Sequence, residues 1–255
     1  MTALRAFGLS DPGLVRGHNE DCFAIEAEEN LYVVADGMGG HSYGEIASRI
    51  SVRSICEFIR QGGEASDGSS SETEQELQPH SRLLKEAILA AQEQVLGAVD
   101  EDSALRGMGT TVVGLYVRDG VTALAHVGDS RIYRLRKGEL ELLTQDHTWI
   151  NEQVMAGFLS EEQARTHPYR NVVTRALGGD NRVEVEVHDC PLEADDLFLL
   201  CSDGLTGMLL DSKIQEILER DQPLHETCQS LIDAANDRGG ADNITAILVS
   251  AVRDE

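Results

Sequence analysis

Leu31-Tyr32-Val33-Val34-Ala35-Asp36-Gly37-Met38-Gly39-Gly40 is the stretch on which the fold turns. Its first five residues form an unbroken apolar run that follows Glu28-Glu29-Asn30 turn chemistry and is too short for a helix, so a buried strand is expected over 31–35. The run stops at a carboxylate beside a glycine-rich turn. Helical spacing starts directly afterwards: Ile46, Ala47, Ile50, Ile55, Phe58 and Ile59 mark an amphipathic helix over about 42–60. A strand, an acidic glycine turn and a helix could open a parallel βαβ unit. They could equally lie in an antiparallel sheet with the helix packed outside, and the neighbouring segments decide.

Upstream, residues 3–9 and 22–27 read as strands separated by Ser10-Asp11-Pro12-Gly13. Downstream, Leu84, Ile88, Ala91, Val95 and Val99 mark a second amphipathic helix. Strands over 110–118 and 121–127 meet at Asp119-Gly120, a hairpin signal because both turn positions tolerate positive φ, and a second hairpin crosses Lys137-Gly138. Residues 145–179 are short-helical and irregular. Strands are expected over 183–187 and 197–201, helices around 214–219 and 228–235, and a last strand over 244–252. Strands come in hairpins and helices in pairs, which favours antiparallel sheets with helices on their outer faces. The segment 61–80 is rich in Ser, Glu and Gly with almost no large apolar groups, and reads as a polar surface loop. With no internal repeat and no linker, residues 1–255 are expected to form a single domain.

The chain has 255 residues, 41% of them hydrophobic, enough to bury roughly three quarters of its unfolded surface. Its formal net charge is −24, and its only lysines are Lys85, Lys137 and Lys213. That charge repels nucleic-acid backbones and anionic membranes, so neither is expected as a partner. The longest largely apolar runs, 31–35 and 244–252, fall short of the ~18 residues a membrane span needs. The N-terminal residues lack the apolar core of a signal peptide, which leads to a cytoplasmic expectation. Cys22, Cys56, Cys190, Cys201 and Cys228 are odd in number and dispersed, as reduced thiols are.

Acidic residues recur beside glycine at strand ends. Asp36 precedes Gly37, Asp203 precedes Gly204, Asp129 follows Gly128, and Asp242 follows Gly239-Gly240-Ala241. A glycine there lets the backbone turn sharply and approach a ligand, while the carboxylate projects from a rigid sheet edge. If the strands neighbour one another, the carboxylates converge, and without lysine partners they need divalent cations to offset their repulsion. All-oxygen ligands suit Mg²⁺ or Mn²⁺ rather than zinc. The strand, glycine loop and helix also suggest nucleotide binding, but the position for a third glycine is Ser42 and no Gly-Lys pair exists. No Cys-x₅-Arg or His-Glu-x-x-His occurs, and the stretch containing Ser130 reads Gly128-Asp129-Ser130-Arg131-Ile132 rather than a Gly-x-Ser-x-Gly elbow.

Taken in order, Arg16-Gly-His-Asn-Glu20-Asp21, Val34-Ala-Asp36-Gly37-Met-Gly-Gly-His41, Gly107-Met-Gly-Thr-Thr-Val112, Val127-Gly-Asp129-Ser-Arg, Leu200-Cys-Ser-Asp203-Gly204 and Asp242-Asn243 resemble the motifs of the metal-dependent type 2C Ser/Thr protein phosphatases in their compact bacterial form. The resemblance covers nearly the whole chain. It implies an α+β fold, a four-layer α-β-β-α sandwich with two central antiparallel sheets flanked by helix pairs. It also implies two Mn²⁺ or Mg²⁺ ions, bridged by Asp36, with the Gly37 carbonyl at one and Asp203 and Asp242 at the other. Glu20 and Asp21 would orient metal-bound waters, Asp129 would help hold a third ion, and Arg16 would grip the substrate phosphate with its planar donor fork.

The implied reaction is hydrolysis of phosphoserine or phosphothreonine in proteins by a metal-bridging hydroxide, with no covalent phosphoenzyme, reversing a bacterial Ser/Thr kinase. Many eukaryotic relatives carry His where this chain has Met38, so the general acid would be a metal-bound water or His41. The segment 146–178 corresponds to the family's variable flap and offers Trp149, Met155, Phe158 and Tyr169 as substrate contacts. A monomer is expected. A nucleotide-binding protein and a non-catalytic phospho-reader on the same fold remain as alternatives.

Overall fold

Every strand pair in the computed structural model is antiparallel. The structure describes residues 2–39, 43–62, 77–165, 167–179 and 183–253. One sheet contains β1 (Thr2–Asp11), β11 (Ile244–Arg253), β10 (Leu197–Cys201), β7 (Arg131–Arg136) and β8 (Glu139–Leu142), in that order. The other runs β2 (Asp21–Glu26), β3 (Leu31–Met38), β5 (Val112–Arg118), β6 (Val121–Val127) and β9 (Glu186–Pro191), with the short β4 (Gly109–Thr110) paired to the end of β3. Helices α1 (Tyr43–Arg60) and α2 (Pro79–Glu101) precede the short α3 (Trp149–Met155), α4 (Glu161–Arg165) and α5 (Asp203–Thr206). Helices α6 (Asp211–Leu218) and α7 (Leu224–Asn236) follow.

Three apolar layers hold these elements together. Leu31, Val33, Ala35, Ala123 and Ala125 pack against Ile55, Leu84 and Ile88 of α1 and α2. Leu199, Cys201, Ala246 and Leu248 pack against Ile214, Leu231 and Ile232 of α6 and α7. Between the sheets lie Tyr32, Val34, Val113, Leu115, Phe198, Leu200, Ile247 and Val249. This is the expected α-β-β-α sandwich. The hairpins also form as their residues require, with positive φ at Asp119 (52°), Gly120 (76°), Lys137 (54°) and Gly138 (78°).

The strand expected over 183–187 is instead β9, Glu186–Pro191. Its ladder runs from Val121↔Pro191 to His126↔Glu186, and β6 then turns out of the sheet at Gly128, so residues 183–185 have no strand to pair with. Val183 and Val185 bury their side chains against the helix-side core instead. His41, Gly40, Ser42 and the segment 63–76 of the expected polar loop lie outside the described residues. Among the described residues no helix is long and apolar enough to cross a membrane.

Candidate metal centre

Strand periodicity fixes where the acidic residues face. In β3, Tyr32 and Val34 point between the sheets, so Asp36, two residues on, continues that face beyond the apolar layer. The same alternation puts Asp21 on that face ahead of Phe23 and Ile25, Ser202 after Phe198 and Leu200, and Thr245 before Ile247 and Val249. One end of the inter-sheet layer is therefore polar.

Local bonding fixes the Asp36 backbone. Thr111 N–H (2.9 Å) and the Thr110 hydroxyl (2.8 Å) donate to the Asp36 carbonyl, and Asp36 N–H donates to Thr111 Oγ1 (3.2 Å). Gly37 then passes directly against Gly44 in the first turn of α1. A Cβ on Gly37 would collide with the Gly44 carbonyl, and one on Gly44 would lie 2.6 Å from the Gly37 carbonyl carbon. Only glycine at both positions permits this approach.

Asp21 and Asp36 are direct cross-strand partners. Asp203 opens α5 after β10, Asp242 precedes β11, and Asp129 lies in the turn after β6. Burial is the largest force on Asp36, pushing its carboxyl well above the usual carboxylate range, and the charges of Asp21, Asp203, Asp129 and Asp242 push it further. Burial likewise lifts Asp21 and Asp129 to about 7. Asp203 is raised by burial and then by Asp242, partly countered by a hydrogen bond with Asp36. Asp21 Oδ2 accepts from Ser202 Oγ (2.8 Å) and Thr245 Oγ1 (2.6 Å), while its Oδ1 is buried with no partner.

Arg16 meets this cluster at Asp242. Its Nη2 donates to Asp242 Oδ2 at 2.7 Å, and Asp242 raises the guanidinium pKa despite some desolvation. Glu20 is raised by burial and by nearby Asp242, with Arg16 opposing. Asp36, Asp203, Asp242, Asp129, Asp21, Glu20 and Arg16 are thus one electrostatic neighbourhood, with Gly37 at its edge. His41 is outside the described residues. The flap 146–178 is fastened at its base by Thr174 N–H to the His147 carbonyl (2.8 Å) and Trp149 N–H to the Val172 carbonyl (2.8 Å). Trp149 packs on Tyr169 and His167, while Met155 (70%) and Phe158 (76%) stand exposed.

Sequence reasoning missed two groups. Asp146 raises the pKa of both Asp129 and Asp203, and is held by a two-pronged bond from Arg131 (2.8 and 2.7 Å). Its only sequence signal is its place between a strand and the flap. His126, His147 and Glu186 bring ligating atoms within 4.8 Å of one another. The two imidazoles, however, stack at 4.7 Å with only 20° between planes, so their in-plane lone pairs do not converge on one ion. Arg175 Nη1 also reaches Glu186 at 3.1 Å, and His147 Nδ1 accepts from Gly128 N–H (3.1 Å). This trio is a hydrogen-bonded brace behind the Asp129 turn.

The protein phosphatase 2C family model matches residues 16–249. The chain is 36% identical over 243 residues to the serine/threonine phosphatase stp of Listeria welshimeri, covering 94% of this chain and 93% of that one. It superposes on the Mycobacterium tuberculosis serine/threonine phosphatase PstP/Ppp with a TM-score of 0.87 at 34% identity, covering 99% and 100% of the two chains. A PstP catalytic domain in complex with two manganese ions gives 0.85 at 33% identity, with the same coverage. The chain belongs to the protein phosphatase 2C family and is a protein Ser/Thr phosphatase. Of the readings left open by sequence, the phosphatase stands.

Proposed function

We propose that the acidic end of the inter-sheet layer holds paired divalent cations, Mn²⁺ or Mg²⁺, and hydrolyses phosphoserine and phosphothreonine esters in proteins. Asp36 would bridge two ions, with the Gly37 carbonyl, Asp203 and Asp242 completing the sites, Glu20 and Asp21 orienting waters, and Asp129 holding a third ion. The observation that carries this is the gathering of Asp21, Asp36, Asp129 and Asp203 with the half-buried Asp242, to which Arg16 is bonded. The residues fit such ions: the donors are all hard oxygens, and Asp21 Oδ1 is a buried acceptor with nothing to accept. The PstP structure with two manganese ions supports the same reading.

Bound there, the cations would neutralise the carboxylates and the phosphate dianion and acidify the water that attacks phosphorus. The chain's own residues do the rest. Thr110 and Thr111 hold the Asp36 backbone, and the Ser202 and Thr245 hydroxyls hold Asp21 by one oxygen so that the other faces the site. Arg16, half exposed at the rim, has donors to spare for equatorial phosphate oxygens. His41 or a metal-bound water would supply the proton to the leaving alkoxide. The physiological substrates would be phosphoproteins of a bacterial Ser/Thr kinase in the cytoplasm, met by a monomer whose one catalytic domain spans 1–255.

Hydrolysis of p-nitrophenyl phosphate and of a phosphothreonine peptide should appear with Mn²⁺, vanish in EDTA, and be nearly lost in Asp36→Asn. Turnover that survives chelation would refute the assignment.

A further inference from the structure

We propose that Asn243 is the positioning residue for Arg16: as the anchor of the loop 12–20 it sets where the guanidinium stands, and so fixes affinity for the phosphorylated residue. The inference rests on Arg16 being the phosphate-gripping side chain. Asn243 is 5% exposed, and its amide spends both of its N–H donors and one oxygen lone pair on that loop. Nδ2 donates to the Pro12 carbonyl (3.0 Å) and the His18 carbonyl (2.9 Å), and Oδ1 accepts from Glu20 N–H (2.8 Å). These contacts fall before Arg16, just after it, and at the end of the loop.

Apolar burial does not hold the loop. Leu14 and Val15, directly before Arg16, are 68% and 70% exposed. What remains is polar: Gly13 N–H donates to Asp11 Oδ1 (2.8 Å), Asn19 Nδ2 to Ser10 Oγ (2.8 Å), Ser48 Oγ (2.6 Å) and Gly37 N–H (3.2 Å) donate to the Glu20 carbonyl, and the stretch on either side of Arg16 docks on residues 240–243. Leu14 N–H donates to the Gly240 carbonyl (2.8 Å), and Gly13, at φ +76°, passes so close to the Gly240 and Asp242 carbonyls that a Cβ has no room. Asn243 supplies three of these ties from one side chain. Its neighbour Asp242 meets Arg16, so the same two residues anchor the loop and receive its cation. Aspartate at 243 could not substitute, because it lacks the N–H donors for two carbonyls.

The test compares wild type, Asn243→Ala, Arg16→Ala and the double variant on a phosphothreonine peptide, with Mn²⁺ affinity read by calorimetry. Asn243→Ala should raise KM about tenfold or more with kcat and the Mn²⁺ dissociation constant within about threefold, and add less than about twofold to KM once Arg16 is gone. Gly13→Ala, which lifts the loop from the other side, should reproduce the KM effect. The proposal falls if KM is unchanged, if the Asn243 effect is equally large without Arg16, or if Mn²⁺ affinity falls in step with KM. It also falls if both Asn243→Ala and Gly13→Ala fail to fold, which would assign the anchor to the fold instead. An Arg16→Ala variant with unaltered KM would remove the reading of Arg16 itself, a separate failure.

Discussion

Asp21 and Asp36 stand opposite one another as Cα partners across the β2–β3 ladder, both on the face between the sheets. Like charges directly opposite destabilise a sheet, and here neither carboxylate has a lysine to answer it. Folding gathers these groups against their own repulsion, which makes the metal-free protein a strained state with measurable consequences.

The first is pH dependence. Burial raises Asp21 from 3.8 to about 7, so between those values the folded state holds a proton that the unfolded state has released. Stability from this group is therefore intact below about pH 4 and is lost as pH rises to about 7, on the order of 4 kcal/mol. His126, lowered by burial to about 4, works in the opposite direction, costing stability as pH falls below its unfolded value of 6.5. Only a difference isolates the carboxylate. In EDTA, the Tm of Asp21→Asn minus that of wild type should grow from near zero at pH 4.5 to clearly positive at pH 8. A gap that stays constant with pH would contradict the raised pKa.

Asp36→Asn should separate function from stability. It removes the most crowded charge while keeping the strand, because the backbone of residue 36 is held by Thr110 and Thr111. Phosphatase activity should fall by at least about a hundredfold, since replacing even an indirect metal support costs ten- to a hundredfold. In EDTA at pH 8 the variant should melt several degrees higher than wild type, about 3–5 °C for a chain of this size. A lower melting point would mean that the cluster is not repulsive.

Much of this was legible in the sequence, for a physical reason. Asp36, Asp129 and Asp203 each sit within one residue of a glycine at a strand end, and the period of two sets the face of Asp36 without knowledge of the partner strand, whereas Asp129 and Asp203 lie beyond their strands, where that period no longer applies. What could not be read is long-range pairing. The hydroxyls on Asp21 come from Ser202 and Thr245, separated from it by 181 and 224 positions, and the loop that carries Arg16 is tied to Asn243 across a similar span. Asp146 reaches the cluster only because Arg131 holds it there. The start of β9 was misplaced because Val183 and Val185 alternate like a strand, yet their hydrophobicity is spent on the helix-side core where no ladder is available.

Two glycines offer a test of close approach against mere flexibility. Gly37→Ala should abolish activity and destabilise by about 3 kcal/mol or more, because its Cβ meets backbone of Gly44 and Glu20 rather than a movable side chain. Gly97→Ala lies on the exposed face of α2 with open space around the new methyl, and should stabilise by about 0.5–1 kcal/mol with activity unchanged. Urea unfolding and p-nitrophenyl phosphate turnover on the two variants read both outcomes. Equal effects at the two positions would show that the Gly37–Gly44 contact is not the constraint.

If Asp242 holds a divalent cation as proposed, Arg16 and that ion compete for the same carboxylate. The guanidinium holds Asp242 at 2.7 Å, with 52% and 33% of the two side chains exposed. A pair this exposed contributes about 0–1 kcal/mol, so cation binding at Asp242 displaces it at modest cost. Arg16→Ala should accordingly tighten Mn²⁺ binding to EDTA-stripped protein by up to about fivefold, since the competitor is gone. The same substitution should raise KM for a phosphothreonine peptide, because on the proposed reading the freed guanidinium would meet the phosphate. The two parameters must move in opposite senses, a combination that general loss of structure does not produce. Calorimetric Mn²⁺ titration set beside peptide kinetics decides it: weaker metal binding in Arg16→Ala would show that Arg16 supports the acidic cluster rather than competing with the ion.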